Sequence, residues 1–205
     1  MSSGRKRLQH VPGAIGVDEA GRGPLAGPVV VAAVILPAGF VCKGLNDSKQ
    51  LTREEREEQA ARIKKGARWS VVEIDHREID RLNILWATML GMHRAVLMLS
   101  GLDPEVIYID GNRVPRELEG RAEAVIKGDG KYACIAAASI IAKTHRDQLM
   151  REMAVTYPQY GFDSHYGYCT PEHFAALKEH GPCAIHRRSF APVMEAEQPC
   201  LIFAP

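Results

Sequence analysis

Residues 29–36 read Val-Val-Val-Ala-Ala-Val-Ile-Leu, an unbroken apolar run closed by Pro37. A strand with one wet face would alternate apolar and polar residues. This run does not alternate, so it reads as a buried strand of the kind found where helices cover the sheet. A second apolar stretch, residues 13–17, ends at Asp18-Glu19, and a Gly/Pro-rich turn over residues 21–28 joins the two. Strand, tight turn and strand predict a hairpin-like antiparallel pair.

The rest of the chain alternates between the two periodicities. Thr52-Arg53-Glu54-Glu55 has the form of a capping box, in which hydroxyl and carboxylate satisfy free backbone N–H groups reciprocally. It opens a helix expected to stop near Gly66. Residues 69–74 read as a third strand. Leu82, Leu85, Trp86, Met89, Val96 and Leu97 recur at helical spacing and predict one amphipathic helix ending at Ser100-Gly101. Short strands follow at 106–109, ending at Asp110, and at 122–126, ending before Asp129. An alanine-rich helix is expected over 135–151, and a last one from its cap at Thr170, with Pro171 first, to Gly181-Pro182. This order predicts an α/β domain with a mixed sheet over residues 13–193, between a flexible N-terminal tail (1–12) and a C-terminal tail (194–205).

Composition excludes more than it selects. With 205 residues, 46% of them hydrophobic, the chain can bury a core of its own. No apolar run approaches the ~20 residues of a membrane helix. A net charge of +1 excludes a uniformly basic nucleic-acid binder, so any such surface must be local. The five cysteines are odd in number and form no Cys-x-x-Cys pair, against a zinc ribbon. The start of the chain carries Arg5-Lys6-Arg7 without an apolar stretch behind it. Free thiols and no export signal predict a cytoplasmic protein.

Four carboxylates stand at strand ends: Asp18, Glu19, Asp110 and Asp129. Loops converge at strand ends, and four acids gathered there would repel one another unless divalent cations neutralised them. Two Mg²⁺ or Mn²⁺ ions ~3.5–4 Å apart form the clamp of in-line phosphoryl displacement. Turn formation is the competing reading, since Asp110-Gly111-Asn112 makes a good tight turn. Geometry adds an objection. Adjacent residues of a regular strand point to opposite faces, so Asp18 and Glu19 share a site only if the strand ends, bends or bulges.

Gly21-Arg22-Gly23 lacks the spacing of a dinucleotide fingerprint and leads into a strand, and no Walker A pattern occurs. The two glycines would let backbone approach a ligand, or merely make a turn. Lys49, Lys143, Arg146, Arg187 and Arg188 each read alone as solvated charges. Tyr166 and Tyr168 could stack on a sugar or base, or cover the core. The histidines show no metal spacing and default to structural or surface roles; His165, beside the tyrosines, stands out.

Taken together, these segments resemble bacterial ribonuclease HII, the type 2 ribonuclease H family. The resemblance rests on residues 16–28 (GVDEAGRGPLAGP), 45–49 (LNDSK), 79–89 (IDRLNILWATM), 108–112 (YIDGN), 127–129 (KGD), 137–143 (AASIIAK) and 186–190 (HRRSF). It implies a ribonuclease H-like fold, a mixed five-stranded sheet flanked by helices with a helical C-terminal portion. It implies Asp18, Glu19, Asp110 and Asp129 as catalytic metal ligands for Mn²⁺ or Mg²⁺, two ions with substrate bound. The implied substrates are RNA–DNA hybrids and duplex DNA containing a ribonucleotide, cut 5′ of the ribonucleotide to leave 3′-hydroxyl and 5′-phosphate ends. Primer removal and ribonucleotide excision repair are the implied roles, performed by a monomer. Gly21, Arg22 and Gly23 would contact the ribose 2′-hydroxyl, and Tyr168 the neighbouring deoxyribose. Lys49, Ser139 and Lys143 would be further substrate-binding residues.

Two departures stand out. His165-Tyr166-Gly167-Tyr168-Cys169-Thr170 replaces the usual His-Lys-Gly-Tyr-Pro-Thr, and Thr144-His145 replaces Val-Thr. The sister family, ribonuclease HIII, usually has Gly-Lys-Gly and an extra N-terminal domain for which the dozen residues before Gly13 leave no room. A silent hybrid-binding protein and an integrase-like DNA nuclease are the other readings. The stretch 198–203 is a faint candidate for a clamp-binding peptide.

Overall fold

The computed structural model describes residues 8–197 apart from 100, 102, 103 and 105. The basic triplet at 5–7, the stop expected at Ser100 and the stretch 198–203 lie outside the described residues.

Among the described residues five strands form one sheet: β1 (Ile15–Ala20), β2 (Val29–Ile35), β3 (Arg68–Ile74), β4 (Ile107–Asp110) and β5 (Ala122–Val125). Their order is β3-β2-β1-β4-β5, antiparallel from β3 to β1 and parallel from β1 to β5. The sheet is therefore mixed, and the first two strands pair as the tight turn requires. Among the described residues seven helices accompany it: α1 (Arg53–Gly66), α2 (His76–Leu82), α3 (Ile84–Met98), α4 (Ala133–Thr156), α5 (Phe162–His165), α6 (Pro171–His180) and α7 (Ala191–Glu197). Every residue of β2 is buried. Val30, Ala32 and Val34 meet α1 and α4 on one face, and Val31, Ala33 and Ile35 meet α3 on the other. The apolar run of residues 29–36 fills both layers at once.

The long helix α4 lies against β1 with no side chain between them at one point. A Cβ on Gly16 would come within 2.2 Å of the Cys134 carbonyl carbon and 2.4 Å of the Ile135 nitrogen. This contact sets the approach of α4, and with it Ser139, Lys143, Arg146 and Met150. Those four recur at intervals of four, three and four, so they share one face of the helix.

The capping box forms as expected. The Thr52 hydroxyl accepts from Glu55 N, and the Glu55 carboxylate accepts from Thr52 N at 2.8 Å. The cap at Thr170 and the stop at Gly181 (φ 67°) also match. The single helix expected through Leu82 and Leu97 is instead two, α2 and α3. The chain turns at Asn83 (φ 65°), whose side chain accepts from the N–H groups of Leu85 and Trp86 and so starts a new helix. Such local capping competes with helix continuation. The buried face of α3 includes Ala87, Met89, Gly91, Met92, Ala95 and Val96, whereas Trp86 and Leu97 are exposed. Gly91 admits Val31 so closely that a Cβ would lie 2.7 Å from its Cγ2. Small residues, rather than the large ones, mark the contact with the sheet.

Both ends of the described chain are more structured than the sequence suggests. Gln9 N donates to Lys131 O at 2.7 Å, and Ala133 N to Gln9 O at 2.9 Å, tying residues of the expected N-terminal tail to the start of α4. α7 crosses the boundary placed at residue 193 and buries Val193 against Leu25 and Leu177. Pro192 is tolerated there because the first turn of a helix leaves its N–H groups without helical partners.

Candidate active site

The strand β1 neither bends nor bulges at its acids. Its register against β2 is continuous through Asp18↔Ala32, Glu19↔Val31 and Ala20↔Val30. Asp18 accordingly lies on the α4 face and Glu19 on the α3 face. They reach a common cavity because β4 stops early: it pairs with β1 only as far as Val17↔Ile109. Beyond that point β1 has an open edge, and the cavity wraps around it. Asp110 is the last residue of β4.

This cavity, about 520 Å³, is lined by Asp18, Glu19, Asp110 and Asp129, by Gly21, Arg22 and Gly23, and by Lys49, Ser139, Lys143 and Tyr168, together with Ala20 and Ser48. The eleven residues that the family resemblance implies for the site thus line one cavity, whereas Tyr166 does not. Asp110 Oδ1 accepts from Gly128 N at 2.7 Å, which fastens the end of β4 to the turn carrying Asp129. Lys127 begins that turn in the left-handed conformation. Lys49 projects from a 3-10 turn, Ser48–Gln50, capped by the Asp47 carboxylate, and the Ser48 and Ser139 hydroxyls are 3.0 Å apart beneath it.

The acids are crowded. Burial pushes the Asp18 carboxyl well above the usual carboxylate range, and Glu19 and Asp110 add to the effect. Burial also raises Glu19, against the lowering influence of Arg22, whose Nη1 lies 3.4 Å from its Oε1. Asp129 is raised by burial and then by Asp110 and Asp47. Among the described residues, no three acidic, His or Cys side chains stand close enough to hold an ion as they are arranged. Side-chain rotation would have to draw the carboxylates together. Their chemistry fits a hard divalent cation, because all four offer oxygen and neither imidazole nor thiolate lines the cavity.

The ribonuclease HII family profile matches residues 15–193, a span that holds the whole cavity. The chain belongs to the ribonuclease HII family. It is 59% identical over 183 residues to a ribonuclease HII of Xanthomonas campestris pv. campestris, covering 88% of this chain and 76% of that one. With the ribonuclease HII of Thiobacillus denitrificans it shares 57% over 182 residues, 88% of each. Among solved structures, the RNase HII of Archaeoglobus fulgidus, in complex with PCNA, matches at a TM-score of 0.77 with 31% identity, over 92% of this chain and 98% of that one. Bst-RNase HIII in complex with Mn²⁺ shares the fold, at 0.68 and 22% identity, over 89% of this chain and 68% of that one. Membership of the ribonuclease HII family makes the chain a ribonuclease H, an endonucleolytic hydrolase. Divalent-metal dependence is general to that family. No helix among the described residues is long and apolar enough to cross a membrane.

Several basic residues are not the solvated charges that their type suggests. Lys143 Nζ lies 2.6 Å from Asp147 Oδ1 and within 5.0 and 5.5 Å of the Tyr166 and Tyr168 ring centroids. Arg146 and Arg187 are completely buried. Arg188 is exposed and pairs with Glu197. His165 uses both ring nitrogens on backbone, with Nε2 2.6 Å from Tyr160 O and Nδ1 accepting from Gly167 N, and does not line the cavity.

Sequence reasoning missed a buried histidine relay behind Tyr168. Cys183 N donates to His186 Nδ1 at 2.9 Å, which places the His186 proton on Nε2. That proton is directed at His173 Nε2, 3.0 Å away, so His173 carries its own on Nδ1 and donates to the Tyr168 carbonyl at 2.9 Å. Every link requires a neutral ring. Burial lowers both histidines, His186 to about 4 with His173 as a second cause. A folded-state value below the usual 6.5 means full stability above pH 6.5 and loss as pH falls toward 4. His186 alone should lose about 3 kcal/mol across that window. The raised carboxyls of Asp18, Glu19 and Asp129 act in the opposite sense, so the test is comparative. Urea unfolding at pH 7.5 and 4.5 should show a smaller acid loss in His186→Asn than in the wild type, and equal losses would contradict the relay.

Proposed function

We propose that this cavity hydrolyses the RNA strand of RNA–DNA duplexes and cuts on the 5′ side of a ribonucleotide embedded in duplex DNA, leaving 3′-hydroxyl and 5′-phosphate ends. The observation that carries the reading is the meeting of four carboxylates with the Gly21-Arg22-Gly23 backbone in one cavity. The acids supply the phosphoryl-transfer chemistry, and the backbone supplies a reader for the sugar.

In this reading Asp18, Glu19, Asp110 and Asp129 hold two Mn²⁺ or Mg²⁺ ions. When bound, such ions supply activation of water and stabilisation of the leaving oxygen. The chain itself places the scissile phosphate. Lys49 and Lys143 offer cationic partners for phosphate oxygens, Ser139 steadies Asp18, and Tyr168 offers a ring face to the adjoining sugar. Recognition of a 2′-hydroxyl by backbone N–H groups separates RNA from DNA whatever the base. Removal of RNA primers and of ribonucleotides left in DNA are the tasks this specificity serves.

The test is to map the cut in an end-labelled DNA duplex holding one ribonucleotide, with Mn²⁺ and Mg²⁺ in turn. A single break on the 5′ side of the ribonucleotide, and none in an all-DNA duplex, is the expected result. Cleavage of all-DNA duplex would instead indicate an integrase-like nuclease, and cleavage of long hybrids alone would indicate ribonuclease HIII behaviour.

A further inference from the structure

We propose that Arg187, backed by Arg146, is the positioning residue for ribose recognition, holding the Gly21-Arg22-Gly23 backbone so that two of its N–H groups face the cavity. The inference rests on the functional reading above and gives its sugar reader a structural cause.

The Arg187 guanidinium donates to the carbonyls of Gly21 at 2.6 Å, Arg22 at 3.0 Å and Gly27 at 2.9 Å. In a planar trans peptide the C=O and the following N–H point in opposite directions. Drawing the Gly21 and Arg22 carbonyls inward therefore turns the N–H groups of Arg22 and Gly23 outward. Neither N–H donates to any group among the described residues. The two glycines have separate tasks. A Cβ on Gly21 (φ +94°) would lie 2.0 Å from Arg146 Nε, so this glycine makes room for the buried arginine behind the loop. A Cβ on Gly23 would meet nothing within 4 Å, which leaves that side open to a ligand in the cavity it lines.

Arg146 completes the frame, donating to the carbonyls of Ala26, Pro28 and Tyr166 at 3.0–3.1 Å. Two cations thus lie behind the loop, bonded to six carbonyls. A guanidinium on a peptide oxygen polarises that peptide and strengthens its N–H as a donor. The outward pair suits a single neutral oxygen with two lone pairs, as a 2′-hydroxyl offers.

Arg187→Lys keeps the charge but not the planar fork needed for three carbonyls. Rates are compared on duplexes carrying one ribonucleotide or one 2′-fluoro nucleotide, which lacks the hydroxyl. The wild type should strongly prefer the ribonucleotide. The variant, shown to be folded by circular dichroism, should lose about 100-fold on the ribonucleotide and cut both duplexes at nearly equal rates. A wild-type preference retained in the variant, whatever its absolute rate, overturns the proposal.

If the variant does not fold, amide exchange in the wild-type chain decides the matter. Without divalent metal, the Arg22 and Gly23 amides should be protected by the ribonucleotide duplex and not by all-DNA duplex; equal protection overturns the proposal. Failure of the wild type to cut the ribonucleotide duplex would instead count against the functional reading.

Discussion

Asp110→Asn should reduce metal-dependent cleavage by about a thousandfold or more while leaving duplex binding within a few-fold of the wild type. The substitution is nearly isosteric. The Asn side-chain oxygen can still accept from Gly128 N, the bond that fastens the turn carrying Asp129. The folded geometry should therefore persist. What is lost is one of four negative charges, and divalent-ion stabilisation of developing charge is worth several kcal/mol, each 1.36 of which is tenfold in rate. The Asp110 charge also helps to raise the carboxyls of Asp18, Glu19 and Asp129. Its neutralisation should thus raise the unfolding midpoint in EDTA, since the acids repel one another without cations. Single-turnover cleavage with Mn²⁺ or Mg²⁺ and fluorescence anisotropy of a labelled duplex in EDTA measure the two halves. Cleavage within tenfold of the wild type would remove Asp110 from the proposed ligand set.

The same four acids show how far sequence carries. Their position at strand ends is visible because apolar runs stop at them, and the buried character of β2 is visible because residues 29–36 never alternate. The objection that Asp18 and Glu19 face opposite ways was sound for a regular strand, and β1 is regular. Its resolution lies in where β4 stops, a fact of inter-strand register that neither strand states by itself. The break at Asn83 was hidden for a related reason. Spacing of three and four runs straight through it, and periodicity does not register one residue in a left-handed conformation.

Arg146 and Arg187 were hidden more deeply. Charged side chains are rarely buried unless paired, so residue type points outward. Their partners here are backbone carbonyls, which every residue possesses and which leave no mark in the sequence. His173 and His186 are similar, since no spacing rule describes two rings that meet through one hydrogen bond. The departures at Tyr166 and Cys169 fall beside this frame. Tyr166 offers Arg146 its carbonyl, which any residue tolerating its positive φ could supply, while its ring lies 5.0 Å from Lys143 Nζ.

Arg146→Met should destabilise the fold by about 3–5 kcal/mol. Two effects oppose each other at this site. Burial lowers the Arg146 guanidinium from its ordinary range, and burial, with the Arg146 charge as a second cause, lowers Arg187 to about 9. Methionine removes the cost of burying one cation and relieves the repulsion felt by the other. Against this, the carbonyls of Ala26, Pro28 and Tyr166 lose their donor within a closed interior, at about 1–3 kcal/mol each. A buried ion pair can be replaced by apolar groups at little cost when both partners are replaced. Here the acceptors are backbone and cannot be removed, so the unpaired carbonyls dominate. For a domain of this size the loss corresponds to roughly 10 °C in unfolding midpoint. Arg146→Lys, which retains charge and part of the bonding, should fall between the two. A methionine variant within 1 kcal/mol of the wild type in urea would show that water reaches these carbonyls, and that Arg146 is not needed to back the loop that Arg187 holds.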